Sequence, residues 1–469
     1  MKGLLLDNFG FRPTQEQEKA AQLLSEFIFD RDDRRVFLLK GYAGTGKTSL
    51  VGALVRSMSQ LKQRTVLMAP TGRAAKVFSL HAQHPAFTIH KRIYRQKAFS
   101  GEMTDFLQGV NLLQHTLFIV DEASMIANEG LNGAAFGTGR LLDDLIQFVY
   151  SGEGCRLMLV GDTAQLPPVG EELSPALIPD FLKGYGLNVM DVTLTEVVRQ
   201  LSESGILWNA TQLRRLISEE LTEGFPDIHF SPFTDIVRVT GNDLIETLEQ
   251  SYYQCGTDQT IVITRSNARA NAYNRGIRGR ILGYEEELSG SDQVIIVKNN
   301  YHWGKGQESA MDFIANGDVA VVRRLRRERT EYGFRFADAT LHFPDYDNIE
   351  IEATLLLDTL QSEAPALTRS QQETLFQQVW DDYPELTNKR DRMKAVKEDP
   401  YFNALQVKYA YAITCHKAQG GQWQRVFIDQ GPLTEDMLTP DYYRWLYTAL
   451  TRATETVYLV NWPQTNTEA

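Results

Sequence analysis

The stretch "RRVFLLKGYAGTGKTSLVGALVRSM", residues 34–58, constrains this chain more than any other. Val36 to Leu39 form a short apolar run, Gly41 to Thr48 match G-x-x-x-x-G-K-T, and a helical pattern follows at once. A glycine turn between a strand and a helix lets backbone N–H groups curl around phosphates at the helix's positive end. On this reading Gly41, Ala43, Gly44, Thr45, Gly46, Lys47, Thr48 and Ser49 line a phosphate site. Lys47 reaches the outer phosphates and the Thr48 hydroxyl ligates magnesium. The context predicts an α/β fold, with the nucleotide outside the carboxyl ends of parallel strands.

Two further strands end in the residues such a site needs. "TLFIVDEASMI" is a buried run closing on Asp121 and Glu122. Asp121 is expected to hold the magnesium ion, and Glu122 to activate the attacking water. "CRLMLVGDTAQLPPV" ends in Gly161-Asp162, with Gln165 just beyond, placed to sense the γ-phosphate. Upstream, "FRPTQEQEKA" sets Gln17 before the first helix, where its amide can pair with the adenine edge. Near the other end, "WLYTALTRA" carries Trp445, Leu446, Ala449 and Leu450 at helical spacing, which places them in a core. Arg452 closes that helix. By itself it reads as a solvated helix end, where a cation suits the dipole.

Charge and composition bear on partners. The chain has 469 residues, enough for two to four domains, and a formal net charge of −12. An acidic total weighs slightly against nucleic acid, yet a basic groove can coexist with acidic outer faces. Three scattered cysteines, Cys155, Cys255 and Cys415, have neither disulfide nor zinc spacing. No apolar run approaches the roughly 18 residues that span a bilayer. The opening "MKGLLLDNFGF" is too short for a signal segment. These features suggest a reduced, cytoplasmic setting without a membrane.

The motifs "GYAGTGKT", "APTGRAAK", "TIH", "DEASM", "GDTAQLPPV", "LTEVVRQ", "YAITCHKAQGGQW" and "YTALTRA" occur in this order. Together they resemble the superfamily 1B DNA helicases, nearest the RecD- and Dda-type group, from about Phe11 to Ala453. The resemblance implies two RecA-like lobes with ATP and Mg2+ between them and single-stranded DNA across their tops. It also implies 5′ to 3′ movement and unwinding at duplex junctions. Arg452 and Arg199 match arginines that reach from lobe 2 to the γ-phosphate, joining Lys47, Glu122 and Gln165 in catalysis. Glu196 lies one helical turn from Arg199, so an ion pair between them is the competing reading.

The same resemblance assigns a DNA track. Pro70, Thr71 and Arg73 follow the strand "TVLMA", with Lys76 as a nearby cation and Thr71 beside a helix N-terminus suited to phosphate. Thr88 and His90 sit in "FTIHKRIYR", where basic and aromatic residues interleave as they do in single-strand tracks. A solvated basic face would look the same. In lobe 2, Thr414 and His416 are expected to touch phosphates beside Lys417, with Gln419 and Gly420 linking that grip to the nucleotide. Arg265 and Asn267, after the strand "QTIVI", are further candidates. Cys415 reads as a packing residue.

Two segments interrupt the lobes. Residues 91–115 lie where the family inserts a β-hairpin pin, and "KAFSGEM" places Phe99 before a Ser-Gly turn. Phe106 is the rival tip aromatic, and either ring could equally belong to a core. From about 283 to 400 short alternating strands and Asn316-Gly317, a hairpin turn signal, suggest a small β-barrel, followed by a charged helical arm or connector over 367–398. The expected division is lobe 1 over 1–90 and 116–192 and lobe 2 over 193–282 and 401–469. The alternative function is the ATPase subunit of a helicase–nuclease complex in repair or recombination. A nuclease subunit or a single-strand-binding protein would then be the partner.

Overall fold

A computed structural model of the chain describes residues 1–96, 106–128, 137–197, 203–304, 313–346 and 348–463. Its first half contains β1 (Arg35–Gly41), β2 (Arg64–Ala69), β3 (Ala86–Thr88), β4 (Tyr94–Gln96), β5 (Phe106–Gln108), β6 (Thr116–Val120), β7 (Arg156–Gly161) and β8 (Asn188–Leu194). Six of them form one parallel sheet in the order β3-β2-β6-β7-β1-β8. Strands buried on both faces read as unbroken apolar runs, which is why "TLFIV" and "VFLL" were legible. Alternate side chains of β1 show this directly. Val36 and Leu38 join the core beneath the helix Leu141–Tyr150, whereas Phe37 and Leu39 join the one beneath Gln15–Phe29 and Lys47–Gln60.

The second lobe has β9 (Ile236–Val239) and β10 (Thr260–Thr264). The chain then leaves for a closed barrel of β11 (Gln293–Ile296), β12 (Val319–Glu331), β13 (Phe334–Phe343), β14 (Ile349–Leu356) and β15 (Leu405–Tyr409). It returns as β16 (Ala412–Thr414), β17 (Trp423–Asp429) and β18 (Ala453–Val460), giving a parallel sheet in the order β16-β10-β17-β18-β9. The architecture is therefore two parallel sheets flanked by helices, with a hairpin in the first lobe and a barrel in the second, as the sequence implied.

Some boundaries differ. β8 carries the first sheet to Leu194, and β15 keeps the chain in the barrel to Tyr409, past residue 400. The tight hairpin turn joins β12 to β13 at Tyr332–Gly333, both with positive φ, as a two-residue turn requires. Asn316-Gly317 instead belongs to the turn that leads into β12, where Asp318 N–H donates to Ala315 O. The charged segment between β14 and β15 forms the helices Arg369–Asp381 and Lys389–Glu398, whose Leu375, Val379 and Val396 pack on Phe334, Phe336 and Leu356 of the barrel. It is an arm seated on the barrel.

Residues 91–115, expected to form a pin, contain two short strands. β4 and β5 pair antiparallel, with Tyr94 opposite Gln108. Asp144 fastens their base, accepting from the Tyr94 hydroxyl at 2.7 Å while its carbonyl accepts from Gln108 at 2.8 Å. Phe106 lies in β5, opposite Gln96. Phe99 lies outside the described residues, as does Arg199. Among the described residues no helix is long and apolar enough to cross a membrane.

Candidate nucleotide cleft and strand-binding track

β1 delivers Gly41 to the phosphate loop, and the helix resumes at Lys47. Gly44 (φ +77°) and Gly46 (φ +84°) hold the left-handed backbone that curls the loop and that side chains adopt only with strain. The first amides of the helix, at Lys47, Thr48 and Ser49, have no partner within it and form the anion-attracting end. The Lys47 ammonium folds over the loop, donating to Gly41 O at 2.6 Å and Tyr42 O at 2.9 Å. Thr45 is buried and braces the turn from inside by donating to Tyr42 O at 2.8 Å.

Gln17 is held from two sides. It lies inside the helix Gln15–Phe29, buried, and both ends of its amide are engaged. Its nitrogen donates to Thr45 O at 2.9 Å, and its oxygen accepts from Thr14 N–H at 3.0 Å to complete a capping box. Gln17 props the loop from behind, and its amide keeps a second N–H and a second lone pair. Ala43 N–H donates to the Tyr447 hydroxyl at 2.9 Å.

Asp121 and Glu122 emerge from β6 between β2 and β7. Burial, and then the charge of Glu122, push the Asp121 carboxyl up, while Lys47 pulls it down. Glu122 has φ +52°, a strained conformation of the kind that collects at functional sites. This bend lets its N–H donate to Asp121 Oδ1 at 2.8 Å while its own carboxylate turns toward the second lobe. Thr48 and Asp121 offer one hydroxyl and one carboxylate. That hard-oxygen set suits a magnesium ion completed by substrate phosphates. Gln165 follows β7 and is buried, with its Oε1 lacking a hydrogen-bond partner.

Lobe 2 reaches this cleft through the helix Pro440–Leu450. Trp445, Leu446, Ala449 and Leu450 are buried as expected. Arg452, just past the helix end, is only 5% exposed, which rules out the solvated end. Its guanidinium is steadied by Thr448 O at 3.1 Å and Thr451 Oγ1 at 3.2 Å, and Nη1 lies 3.8 Å from Glu122 Oε1 across the cleft. Three neighbours also grip the loop after β7. Thr448 Oγ1 accepts from Leu166 N–H at 2.8 Å, Arg444 donates to Thr163 O, and Tyr447 donates to Asp162 Oδ2 at 2.6 Å. Gln419 adds a bond to Leu166 O at 2.7 Å. The sequence reading missed Tyr447, Thr448 and Arg444, because on an apolar helix they look like packing or solvent-facing positions.

The track is differently engaged. Thr71 caps the helix Gly72–Ala82, accepting from Ala74 N–H at 3.2 Å, with Pro70 just before it. Arg73, expected on DNA, stacks on the Trp423 ring at 4.1 Å and donates to Gln422 O at 3.1 Å. Lys76 pairs with Asp345 of the barrel at 3.2 Å. At Gly72 an added Cβ would collide with the Tyr346 hydroxyl and Asp318, so the barrel presses on the helix start. At Gly420 (φ +73°) an added Cβ would meet Ala74 and Thr71, so lobe 2 lies close against the start of this helix. Thr88 caps the helix Ile89–Ile93 by accepting from Lys91 N–H at 3.2 Å. Burial lowers the neighbouring His90 to about 4, which keeps its imidazole neutral.

On lobe 2, Thr414 ends β16 and His416 stands exposed on the short helix Cys415–Ala418. Burial lowers Lys417 to about 8. Arg265 is exposed, 5.5 Å from the Tyr442 ring. Asn267, expected on DNA, donates to Glu363 O at 3.1 Å. Cys415 is buried, its thiol pushed up to about 12, as suits a packing residue.

Two family models match the chain, an AAA domain over residues 14–224 and a UvrD-like helicase C-terminal domain over 409–460. An uncharacterized protein of Acanthamoeba polyphaga mimivirus is 21% identical, covering 94% of this chain and 98% of its own length. The ATP-dependent RecD2 DNA helicase of Deinococcus radiodurans is 24% identical over 89% of this chain, which spans only 46% of that protein. A solved structure of Pif1 helicases at forked double-stranded DNA shares the fold, with a TM-score of 0.50, 16% identity, and coverage of 97% of this chain and 93% of that one.

Proposed function

We propose that the chain is a superfamily 1B helicase that moves 5′ to 3′ along single-stranded DNA and unwinds duplex by hydrolysing ATP between its lobes. The observation that carries this reading is Arg452 of lobe 2 lying 3.8 Å from Glu122 of lobe 1. A cation from one lobe aimed at the Glu122 carboxylate of the other makes hydrolysis conditional on lobe closure.

Each residue then has a defined task. Lys47 moves from the carbonyls of its own loop onto the outer phosphates. Glu122 takes the proton of the attacking water, and the unpartnered Oε1 of Gln165 orients that water. Arg452 exchanges the Glu122 carboxylate for the charge that develops on the transferred phosphoryl group, a role worth about 10³ to 10⁵ in rate where measured. Thr48 and Asp121 would hold magnesium, which neutralises phosphate charge when bound. His416, Thr414 and Arg265 offer the strand a surface on lobe 2, and the hairpin arms Tyr94–Gln96 and Phe106–Gln108 carry a pin toward the junction.

The reading is tested by ATPase and unwinding assays on 5′-tailed, 3′-tailed and RNA-tailed duplexes. Single-stranded DNA should stimulate hydrolysis, binding should weaken steeply with salt, and only the 5′-tailed DNA should be opened. Hydrolysis indifferent to DNA would overturn the helicase assignment, and opening of the 3′-tailed duplex alone would reverse the polarity.

A further inference from the structure

Tyr447 stands where three motifs meet, and none of them contains it as a recognised ligand. Its ring is buried in the helix Pro440–Leu450, and its hydroxyl is used twice. The oxygen accepts from Ala43 N–H in the phosphate loop at 2.9 Å, and the proton is donated to Asp162 Oδ2 at 2.6 Å. Asp162 is buried as well, and its other oxygen accepts from Ala164 N–H at 2.9 Å, at the start of the turn that carries Gln165. A short hydrogen bond to a carboxylate is charge-assisted and roughly twice as strong as a neutral one. Burial and Asp162 raise the Tyr447 hydroxyl well above its ordinary range, so it stays protonated and remains a donor.

The backbone of the same residue leads to the finger. Tyr447 O accepts from Thr451 Oγ1 at 3.0 Å and from Thr451 N–H at 3.1 Å, and Thr451 Oγ1 in turn accepts from Arg452 Nη2 at 3.2 Å. The phosphate loop, the Gln165 turn and the Arg452 guanidinium are therefore joined through the Tyr447 hydroxyl and carbonyl and the Thr451 hydroxyl. We propose that Tyr447 is a positioning residue for hydrolysis. Its hydroxyl registers lobe 2 against the phosphate loop so that Arg452 meets the developing charge, and it touches neither substrate nor metal itself. The proposal rests on the ATPase reading above and adds a residue to it.

The hydroxyl acts through Arg452, so its loss lowers kcat and leaves nucleotide binding to the loop. Tyr447→Phe keeps the ring and removes both hydrogen bonds. With saturating single-stranded DNA, its kcat should fall about 10- to 100-fold while KM for ATP stays within about threefold. In an Arg452→Ala background the same change should cost less than about threefold, because the group it positions is already gone. A tyrosine that merely packs the helix would lower the melting temperature without this split and would show the same loss in both backgrounds. Asp162→Asn, which keeps the tyrosine and reverses the direction of its bond, should give a smaller kcat loss with KM retained, and it replaces Tyr447→Phe if that variant does not fold. Wild-type kcat in both variants, or equal losses with and without Arg452, would overturn the proposal. A wild-type protein lacking DNA-stimulated ATPase would instead remove the underlying reading.

Discussion

In the nucleotide cleft, two polar needs remain unmet, the gap between Arg452 and Glu122 and the bare oxygen of Gln165. On the lobe 1 half of the strand track, polar side chains face protein that already meets their needs. Arg452 lies near Glu122 at 3.8 Å, longer than a hydrogen bond, and Gln165 Oε1 is buried without a partner. By contrast, Arg73 is stacked on Trp423 and Lys76 is paired with Asp345. The cleft needs one rearrangement to admit phosphate, the release of Lys47 from its loop carbonyls. If the strand binds as proposed, the track must trade protein contacts for phosphates, and we expect strand binding to be linked to movement of the barrel and lobe 2 away from the helix Gly72–Ala82.

The largest effect should come from the cleft. Arg452→Ala is expected to reduce kcat by about 10³-fold or more while leaving nucleotide affinity nearly intact, because the finger acts in the transition state. Glu122→Gln should bind ATP and stop turnover. Steady-state ATPase read beside fluorescent-nucleotide binding separates these outcomes. If Arg452→Ala turned over near the wild-type rate, the contact at Glu122 would be a resting ion pair and the contrast between the two regions would lose its first half.

How far each region could be read from sequence follows from the same contrast. The phosphate loop, Asp121 and Glu122 were legible because local backbone fixes them: a strand end, two positive-φ glycines and a helix start leave little freedom. The sheets were legible because their strands are apolar on both faces. The protein contacts of Arg73, Gly420 and Asn267 were not legible, because their partners, Trp423, Ala74 and Glu363, are distant in sequence and no local pattern announces them. At Gln17 the capping box was local, but the bond to the Thr45 carbonyl was not announced by any nearby pattern. Tyr447 was invisible because one buried tyrosine on an apolar helix resembles any other until its hydroxyl is placed.

A smaller effect tests the second half of the comparison. Asp345→Asn removes the charge that holds Lys76 on the barrel without changing size. The pair is partly exposed, with side-chain exposures of 36% and 14%, so its contribution is modest. Releasing it should raise affinity for single-stranded DNA by about two- to fivefold at low salt, measured by fluorescence anisotropy. The gain should shrink at high salt, and Lys76→Ala should not reproduce it, since that variant discards the cation together with its restraint. Weaker binding by Asp345→Asn would mean that the barrel contact assists the strand, and that the track does not have to give it up.

The smallest effect is a difference in pH dependence at the same contact. Asp318 is buried against the start of the helix Gly72–Ala82, where burial pushes its carboxyl up to about 7. It accepts from the Tyr346 hydroxyl and from Ala315 N–H, both at 2.7 Å, and the charge of Asp345 adds to the upward shift. A carboxyl raised in the docked state holds its proton more tightly there than when released, where its value returns to near 4. Docking of the barrel is thus strongest at low pH, weakens as pH rises from about 4, and levels off above about 7. Strand affinity should accordingly gain a few-fold between pH 6 and pH 7 from this group alone. Lys417, lowered to about 8 by burial, works in the opposite sense as it loses charge at higher pH. The informative quantity is therefore the ratio of wild-type to Asp318→Asn affinity at each pH. Asparagine keeps an acceptor for Ala315 N–H and cannot ionise, so the ratio should climb from pH 6 to pH 7 and then flatten. A ratio constant across that range would show that the barrel does not have to leave the helix for the strand to bind.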